Sequence, residues 1–229
     1  MRVLVTRAEP DAGLTARKLE ALGHLAIVAP LAEVERLPFT PPDDDVDLVI
    51  ATSARALEGL AELELPGTPP FAVVGSRAAA RITAAGFSLA CPPATDASAL
   101  AARLTSMFVE PRRILYLAGR PRKPQLEAVL AAAGHALMVR DVYAMHAVQT
   151  LPERVVAAWQ AGQVDAVLHY SHESAARFWR SAGHLPGRCL HLCLSPDVAA
   201  ALPGVDPAQI RIAERPDEAA LIALLELPR

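Results

Sequence analysis

Short apolar runs alternate with amphipathic stretches along the whole chain. The runs, rich in Val, Ile and Leu, predict buried strands at Val3–Thr6, Leu25–Ala29, Leu48–Ala51, Phe71–Gly75, Ser88–Cys91, Ile114–Leu117, Ala136–Arg140, Ala166–Tyr170, Cys189–Leu194 and Ile210–Ala213. Helical periodicity occurs at Ala12–Leu22, Ala54–Glu64, Ala78–Ala85, Ser98–Phe108, Pro124–Ala133, Ser174–Ala182 and Glu218–Leu225. Strands that alternate with helices indicate βαβ units and parallel sheets covered on both faces. The pattern therefore predicts an α/β fold.

An internal repeat accounts for the large number of strands. The segment Asp47-Leu-Val-Ile-Ala-Thr-Ser53 aligns with Asp165-Ala-Val-Leu-His-Tyr-Ser171, and Arg113-Ile-Leu-Tyr-Leu117 aligns with Arg2-Val-Leu-Val-Thr6. The aligned segments follow one another in a different order in the two copies, which is typical of a circularly permuted duplication. His24 and His135 follow Gly in equivalent turns of the two copies. We interpret this pair of histidines as architectural.

The repeat predicts two domains. One is discontinuous and consists of residues 1–30 plus 151–229, and the other, 38–142, is inserted into it. Two crossovers, 31–37 and 142–150, connect them. Because both crossovers alternate polar and apolar residues, we expect them to pair with each other as a two-stranded β-ladder.

Composition and charge exclude several classes of protein. The 229 residues are 52% hydrophobic and 21% charged, a globular balance. No run of about 20 apolar residues is present, which argues against a membrane protein. The net charge of −3 argues against a nucleic-acid binder. Since the first residues lack the core of a signal peptide, we expect a cytoplasmic protein.

Three features of the sequence have both an interpretation without function and a functional interpretation. Cys189, His191 and Cys193 would share one face of a strand, as zinc ligands or, the interpretation we favour, as core side chains. The acidic run Asp43–Asp45 indicates a solvated loop more readily than a metal site. Lysine occurs twice among the 22 basic residues, and this preference for arginine reflects either genome composition or two-point binding of anions.

Polar residues follow the predicted strands at their carboxyl ends, where parallel sheets bind ligands. They are Thr6-Arg7, Thr52-Ser53, Gly75-Ser76, Gly119-Arg120, Tyr170-Ser171 and Leu194-Ser195. Ser and Thr at these positions can cap the next helix, which is a structural interpretation. The helix N-termini can also bind anions, which is a functional one, and the two interpretations are compatible. The sequence contains no phosphate-binding loop or nucleophile elbow. His169 and His172 flank Ser171, and we expect both at the surface.

A series of motifs resembles one known family. The series consists of Val3-Leu-Val-Thr-Arg-Ala-Glu-Pro10 with Gly13, Thr52-Ser53, Val73-Val-Gly-Ser76, Leu115-Tyr-Leu-Ala-Gly-Arg120, Val142-Tyr143 and Arg215-Pro-Asp-Glu218. In this order, and with the same permuted duplication, the motifs are similar to those of uroporphyrinogen-III synthases over nearly the full chain.

The resemblance implies an activity and a fold. The family cyclises hydroxymethylbilane, a linear tetrapyrrole with eight carboxylates, to uroporphyrinogen III in haem biosynthesis. The last pyrrole ring is inverted and water is lost, so the enzyme is a cyclising hydro-lyase. The resemblance implies two flavodoxin-like parallel-sheet domains, no metal or other cofactor, a monomer, and transient contact with hydroxymethylbilane synthase.

The resemblance also implies site residues. Tyr143 matches a tyrosine that assists loss of the terminal hydroxyl, although a tyrosine in a crossover can also serve only to pack the hinge. Ser53 and Arg55 match substrate-binding positions, and Ser171 matches their counterpart in the other domain. Further candidates for substrate binding are Arg7, Ser76, Arg120 and Lys123. The chain departs from the family pattern at Ala78, Asp197 and Val198, where hydroxyl side chains are common.

Two other functions fit the same organisation. A hinge-closing small-molecule binding protein also has two α/β domains with a double crossover, but the missing export signal disfavours it. A two-domain glycosyltransferase would require a nucleotide site and usually a much longer chain.

Overall fold

Strands and helices alternate in the computed structural model, which describes residues 1–60, 65–182 and 189–227. The strands are β1 (Arg2–Val5), β2 (Leu25–Val28), β3 (Ala32–Arg36), β4 (Leu48–Ala51), β5 (Phe71–Val73), β6 (Arg113–Arg120), β7 (Ala136–Ala147), β8 (Ala166–His169), β9 (Leu190–Cys193) and β10 (Ile210–Ile212). The α-helices are α1 (Asp11–Ala21), α2 (Ser76–Ala84), α3 (Ala97–Met107), α4 (Gln125–Ala132), α5 (Glu153–Gln160), α6 (His172–Ala182), α7 (Pro196–Ala200) and α8 (Glu218–Ala223).

The strands form two sheets. One has the order β10-β9-β8-β1-β2 and the other the order β3-β7-β6-β4-β5. Neighbouring strands are parallel from β10 to β2 and from β7 to β5. The chain divides into two compact units, unit 1 (Met1–Val34 with His146–Arg229) and unit 2 (Glu35–Met145). The α/β class predicted from the sequence is confirmed.

The two sheets are copies of one design. Asp165, before β8, accepts a 2.7 Å hydrogen bond from the backbone N–H of Arg2 through Oδ2, and Asp47, before β4, accepts the same bond from Arg113. The Nδ1 atom of His24 lies 3.2 Å from the N-terminal nitrogen, and that of His135 accepts from the backbone N–H of Arg112 at 3.2 Å. Each histidine thus joins a turn to the start of a neighbouring strand. The architectural role inferred for the pair is confirmed.

The two connecting segments pair with each other. Strand β3 lies beside β7. The backbone N–H of Leu37 donates to the oxygen of Val142 at 3.0 Å, and that of Val148 donates to the oxygen of Leu31 at 3.1 Å. Because these partners run in opposite directions along the chain, the ladder is antiparallel. The predicted two-stranded ladder is therefore present.

Helices cover both faces of each sheet. In unit 1, α5, α6 and α7 pack on one face, with Trp159 and Phe178 in the core, and α1 and α8 pack on the other, with Leu19 and Leu221. In unit 2, α2 covers one face and α3 with α4 covers the other. Strands buried on both sides are apolar at nearly every position, which explains why the central strands appear in the sequence as continuous apolar runs.

Two predicted elements were wrong. Residues Ser88–Cys91 do not form a strand. This segment makes an isolated parallel bridge to β5 at Phe71↔Leu89, and Ala94 beyond it makes another, to Val74. Pro92 and Pro93, which lie between the two bridges, cannot donate to a ladder, so no strand forms. In the described part of the helix predicted at Ala54–Glu64, Ala54–Leu57 form a 3-10 turn, and Glu58 is then extended, so the helix is not continuous. The last four residues of that prediction, 61–64, lie outside the described residues.

Two helices were not predicted. Helix α5 begins after the crossover, and α7 has five residues and begins with proline. A helix as short as α7 shows too few apolar positions for a periodicity to be read.

Candidate functional site

Polar groups of unit 2 gather at the carboxyl edge of its sheet. Because β4 lies between β5 and β6, the Thr52-Ser53 pair stands between Gly75-Ser76 and Gly119-Arg120 along that edge. The hydroxyl oxygen of Ser53 accepts the backbone N–H of Arg55 at 3.2 Å and so caps the 3-10 turn. Ser76 is the first residue of α2 and is exposed. The capping interpretation thus holds at Ser53, and donors at the start of α2 face solvent.

Gly75 creates the turn that places Ser76. Its φ is +82° and its ψ is 146°, a combination that is almost confined to glycine. The turn ends β5 and begins α2 within two residues. The first N–H groups of α2 therefore lie at the sheet edge, where helix N-termini attract anions.

Tyr143 lies on β7 beside the end of β6. The register of the two strands shifts between Ala118 and Gly119, so that Asp141 pairs with Ala118 while Tyr143 pairs with Gly119. Val142 is the extra residue of this β-bulge, and bulges re-aim the side chains that follow them. The ring of Tyr143 is half-buried and lies against Gly119. The structure therefore places the candidate phenol at the same edge as Ser53 and Ser76.

A second tyrosine supports this edge from within. The hydroxyl of Tyr116, on β6, lies 2.9 Å from the Oγ1 atom of Thr52. Burial raises the pKa of Tyr116, and the hydrogen bond to Thr52 lowers it by a smaller amount. The phenol therefore stays protonated near neutral pH and joins the middle of β6 to the end of β4.

The basic candidates of unit 2 differ in their surroundings. Arg55 approaches the sulfur of Met145 with its Nη1 atom at 3.5 Å. The Nε atom of Arg120 lies 2.9 Å from Asp141, a carboxylate that Arg122 also contacts. Arg120 therefore faces a protein carboxylate, which sequence reasoning did not predict.

Lys123 lines a cavity between two helices. The cavity has a volume of about 310 Å³ and lies between α3 and α4. Its other lining side chains include the hydroxyl of Ser98 and the amide of Gln125, above a floor formed by Ala101 and Leu126. Lys123 thus stands at the start of α4, on a different face of unit 2 from Tyr143.

In unit 1, Arg7 is engaged by two carboxylates. Its Nη1 atom lies 2.9 Å from Oε1 of Glu218, and its Nη2 atom lies 3.3 Å from Asp11. Its guanidinium also stacks over the ring of Tyr170, 4.1 Å from the centroid. Arg7, which follows β1, is therefore held in place by two carboxylates of the protein itself.

Glu218 is the centre of this network. Its Oε1 atom accepts from Thr15 at 2.5 Å and from the hydroxyl of Tyr170 at 2.9 Å, and Oε2 contacts Lys18. Burial raises the pKa of Glu218, but the hydrogen bonds and the charge of Arg7 outweigh this effect, and the pKa is below its ordinary value. Glu218 is therefore ionised near neutral pH and joins α1, β1, β8 and α8.

Ser171 follows β8 at the same edge as Arg7. Its hydroxyl oxygen accepts the backbone N–H of Ser174 at 3.2 Å and caps α6. The next residue, His172, is exposed, as expected from the sequence, and its Nδ1 atom lies 2.9 Å from the oxygen of Asp197. The contacts of Ser171 thus show that it caps α6.

The sequence predicted His169 at the surface, and this prediction is wrong. Its ring is fully buried and stacks on His191, with centroids 5.3 Å apart and planes at 7°. His169 is buried because it lies two residues after Val167 on β8 and therefore points to the same face, beneath α6. Cys189 and Cys193 are buried in the same core, which confirms them as core side chains. Among the described residues, no three His, Cys, Asp or Glu side chains form a group that could hold a metal ion.

Sequence reasoning missed four residues of these edges. Gly119, Tyr116, Tyr170 and Glu218 all lie within or beside quoted motifs, but none was given a role. For Gly119 the signal was missed, because glycine marks a close approach when it lies inside a strand, and the predicted strand ended at Leu117. For Glu218 no local signal existed, since its partner Arg7 is 211 residues away.

Known proteins share both the sequence pattern and the fold described above. The sequence model of a family described as uroporphyrinogen-III synthase HemD matches residues 14–223. The crystal structure of uroporphyrinogen-III synthetase from Helicobacter pylori 26695 has a similar fold, with a TM-score of 0.67, 17% identity and coverage of 99% of both chains. A mutant uroporphyrinogen III synthase from the extremely thermophilic bacterium Thermus thermophilus has a TM-score of 0.61 and 19% identity, over 99% of this chain and 97% of that one. The comparison with curated proteins gives no match.

None of the helices within the described ranges is both long and apolar enough to cross a membrane.

Proposed function

Because the chain belongs to the uroporphyrinogen-III synthase family, whose members are cyclising enzymes of tetrapyrrole synthesis, we propose that it converts hydroxymethylbilane to uroporphyrinogen III. In this hydro-lyase reaction the terminal hydroxymethyl group loses water, the last pyrrole ring is inverted and the macrocycle closes. The observation that carries the proposal is the match of the family over residues 14–223. A hinge-closing binding protein is not favoured, because the matched family is one of synthases.

The substrate defines what the protein must supply. Hydroxymethylbilane carries eight carboxylates and closes by itself to the isomer without ring inversion. The enzyme must therefore hold one conformation of a reactive molecule, and positioning is the larger part of its task. Exposed N–H groups and hydroxyls at sheet edges suit this task, because they can bind several carboxylates at defined points.

The serines at the sheet edges are proposed to bind substrate carboxylates. Ser53 accepts a backbone N–H with its oxygen, so its own O–H proton remains available as a donor. Ser76 and Ser171 are exposed at the N-termini of α2 and α6, where the partial positive charge of a helix favours an anion. Neutral donors of this kind hold carboxylates without a high local charge.

The basic residues are proposed to act in two ways. Arg55 and Lys123 bind substrate carboxylates directly, Lys123 from the wall of its cavity. Arg7 and Arg120 already face Glu218 and Asp141, carboxylates that largely neutralise their charges, so they bind substrate less directly. A carboxylate of the substrate would bind to either of these two arginines only as a further partner.

Tyr143 is proposed to assist the loss of water. A phenolic O–H can donate its proton to the leaving hydroxyl. The carbon–oxygen bond breaks, the pyrrole nitrogen supplies the electron pair, and the hydroxyl leaves as water with the phenolic proton. Closure of the macrocycle later releases a proton, which restores the phenol.

The active form is proposed to be a monomer with two domains. We propose a monomer with domains 1–30 plus 151–229 and 38–142, joined by the crossovers 31–37 and 142–150. We also propose a cytoplasmic location and transient contact with hydroxymethylbilane synthase. A short transfer time would limit spontaneous closure of the unstable substrate.

Isomer analysis tests the proposal. The purified chain is supplied with hydroxymethylbilane from a coupled synthase, and the products are oxidised and separated as type I and type III porphyrins. We expect the type III isomer to predominate, whereas reactions without the chain give type I. Type I alone, formed at the rate of the spontaneous reaction, would overturn the assignment. A bound small molecule without turnover would instead support a binding protein.

A further inference from the structure

Gly119 lies inside β6, where the backbone itself does not require glycine. All the glycines with positive φ are at other positions, so Gly119 has a conformation that any residue can adopt. Glycine within a strand is destabilising relative to alanine, because it loses more backbone freedom on folding and contributes no side chain to the core. The presence of glycine here therefore needs another cause.

The cause is the ring of Tyr143. A Cβ atom built on Gly119 would lie 2.5 Å from the Cε1 atom of Tyr143, and closer still to Cζ and the hydroxyl oxygen. These distances are far below van der Waals contact, and the atoms concerned include the oxygen that would donate the proton. The phenol occupies the space that any other side chain at this position would take.

The β-bulge explains why the ring lies on this face. Leu115 and Leu117 of β6 point to the face covered by α2, and Gly119 continues their alternation. On β7, Val142 and Tyr143 both pack on that face, although they are consecutive. Without the extra residue, strict alternation would place Tyr143 on the opposite face.

We propose that Gly119 is a positioning residue for Tyr143, and that it fixes the place of the phenolic hydroxyl by leaving room for the ring. The proposal rests on the proposed function of Tyr143. Since the ring is half-buried, a methyl group at Gly119 would turn it outward. The atoms that must move are at the far end of a flexible side chain, so we expect Gly119→Ala to fold with its phenol displaced.

Kinetics and spectroscopy of four variants test the proposal. These are Gly119→Ala, Tyr143→Phe, the double variant and Gly13→Ala. Gly13 is a matched control because its backbone also has no positive φ. A methyl group there meets only the ends of two flexible side chains, Glu9 at 3.3 Å and Arg17 at 3.7 Å. The chain contains three tyrosines, so incorporation of 3-fluorotyrosine gives three ¹⁹F signals that single Tyr→Phe variants assign.

The expected result is a shift of the Tyr143 signal in Gly119→Ala while the signal of Tyr170 stays in place. We expect kcat for type III formation to fall by about 10- to 100-fold, with little change in KM, as in Tyr143→Phe. The double variant should lose no more than either single variant, because the two changes remove one interaction. Gly13→Ala should retain full activity.

Three results would overturn the proposal. They are an unmoved Tyr143 signal in Gly119→Ala, a moved signal with unchanged kcat, or additive losses in the double variant. A fully active Tyr143→Phe would refute both the role of the phenol and the positioning of it. Isomer analysis of the unaltered chain would then still decide independently whether it is a synthase.

Discussion

Lowering the pH from 7.5 to 5 is expected to destabilise unit 1, because unit 1 buries two neutral histidines. The Nε2 atom of His169 lies 3.1 Å from the Nδ1 atom of His191, and the two rings stack. Within the described residues, the Nδ1 atom of His169 is buried without a hydrogen-bond partner. A proton added to either ring would introduce a charge among Trp159 and Phe178.

The size of the effect follows from the pKa values. Burial lowers the pKa of His191 to about 4, and burial together with the neighbouring ring lowers that of His169 in the same direction. An unfolded histidine titrates near pH 6.5, so below that pH the unfolded chain binds more protons than the folded chain does. The free energy of unfolding therefore falls as the pH drops from about 6.5 towards 4. For His191 alone the loss at pH 5 is about 2 kcal/mol.

Urea unfolding followed by tryptophan fluorescence measures this loss. Both tryptophans of the chain, Trp159 and Trp179, lie in unit 1 and pack in the same core as the histidine pair. The signal therefore reports unit 1 alone. Free energies of unfolding at intervals between pH 7.5 and 5 give the slope, which is about 1.4 kcal/mol per pH unit for each proton.

Two variants identify the source of the slope. His191→Phe removes one titrating group and keeps an aromatic ring, so the slope between pH 6.5 and 5 should fall by about half. His172→Gln is the control, since the side chain of His172 is 51% exposed and lies outside the buried pair. A free energy of unfolding that stays constant over this range, or an unaltered slope in His191→Phe, would refute the reasoning.

Three further predictions concern the site of unit 2. Tyr143→Phe should lower the rate of type III formation by about 10- to 100-fold with unchanged stability, and an unchanged rate in the isomer assay would make Tyr143 a packing residue. Arg55→Ala should mainly raise KM, by the equivalent of about 1–3 kcal/mol for a charged hydrogen bond. The control Arg103→Ala, on α3, should leave KM unchanged in steady-state kinetics, and a fall in kcat alone for Arg55→Ala would contradict the prediction. Gly75→Ala should cost about 1–3 kcal/mol in urea unfolding followed by circular dichroism, although a methyl group there has open space, because its φ of +82° strains other residues; equal stability would show that the turn relaxes.

The apolar runs were sufficient to predict most of the fold. Strand β4 has the predicted bounds, Leu48–Ala51, because a strand buried on both faces is apolar throughout and stops where polarity returns. The repeat predicted more than the strands. Its alignment of Asp47 with Asp165 corresponds to the same backbone hydrogen bond in each sheet. The alignment predicts that equivalent residues make equivalent contacts, because the two sheets are copies of one design, but it does not predict which contacts these are.

The candidate site was predictable only as a set of positions at strand ends. Parallel strands place their carboxyl ends at a common edge, so Ser53 and Ser76 were recognisable from the order of the elements alone. The capping contact of Ser53 could also be anticipated, because a cap involves residues two or three positions apart. Which other groups would meet them was not predictable, since that depends on which strands become neighbours.

The amino-acid sequence by itself thus determined the elements, their duplication and the edges at which chemistry is placed. Only the tertiary structure decided three features: the bulge that turns Tyr143 onto Gly119, the pairing of Arg7 with Glu218, and the burial of His169 beneath α6. Each depends on contacts between residues distant in the chain or on a shift of register by one residue. A period of two or of 3.6 carries no information about such contacts, because it describes how one element presents its faces and not what it meets.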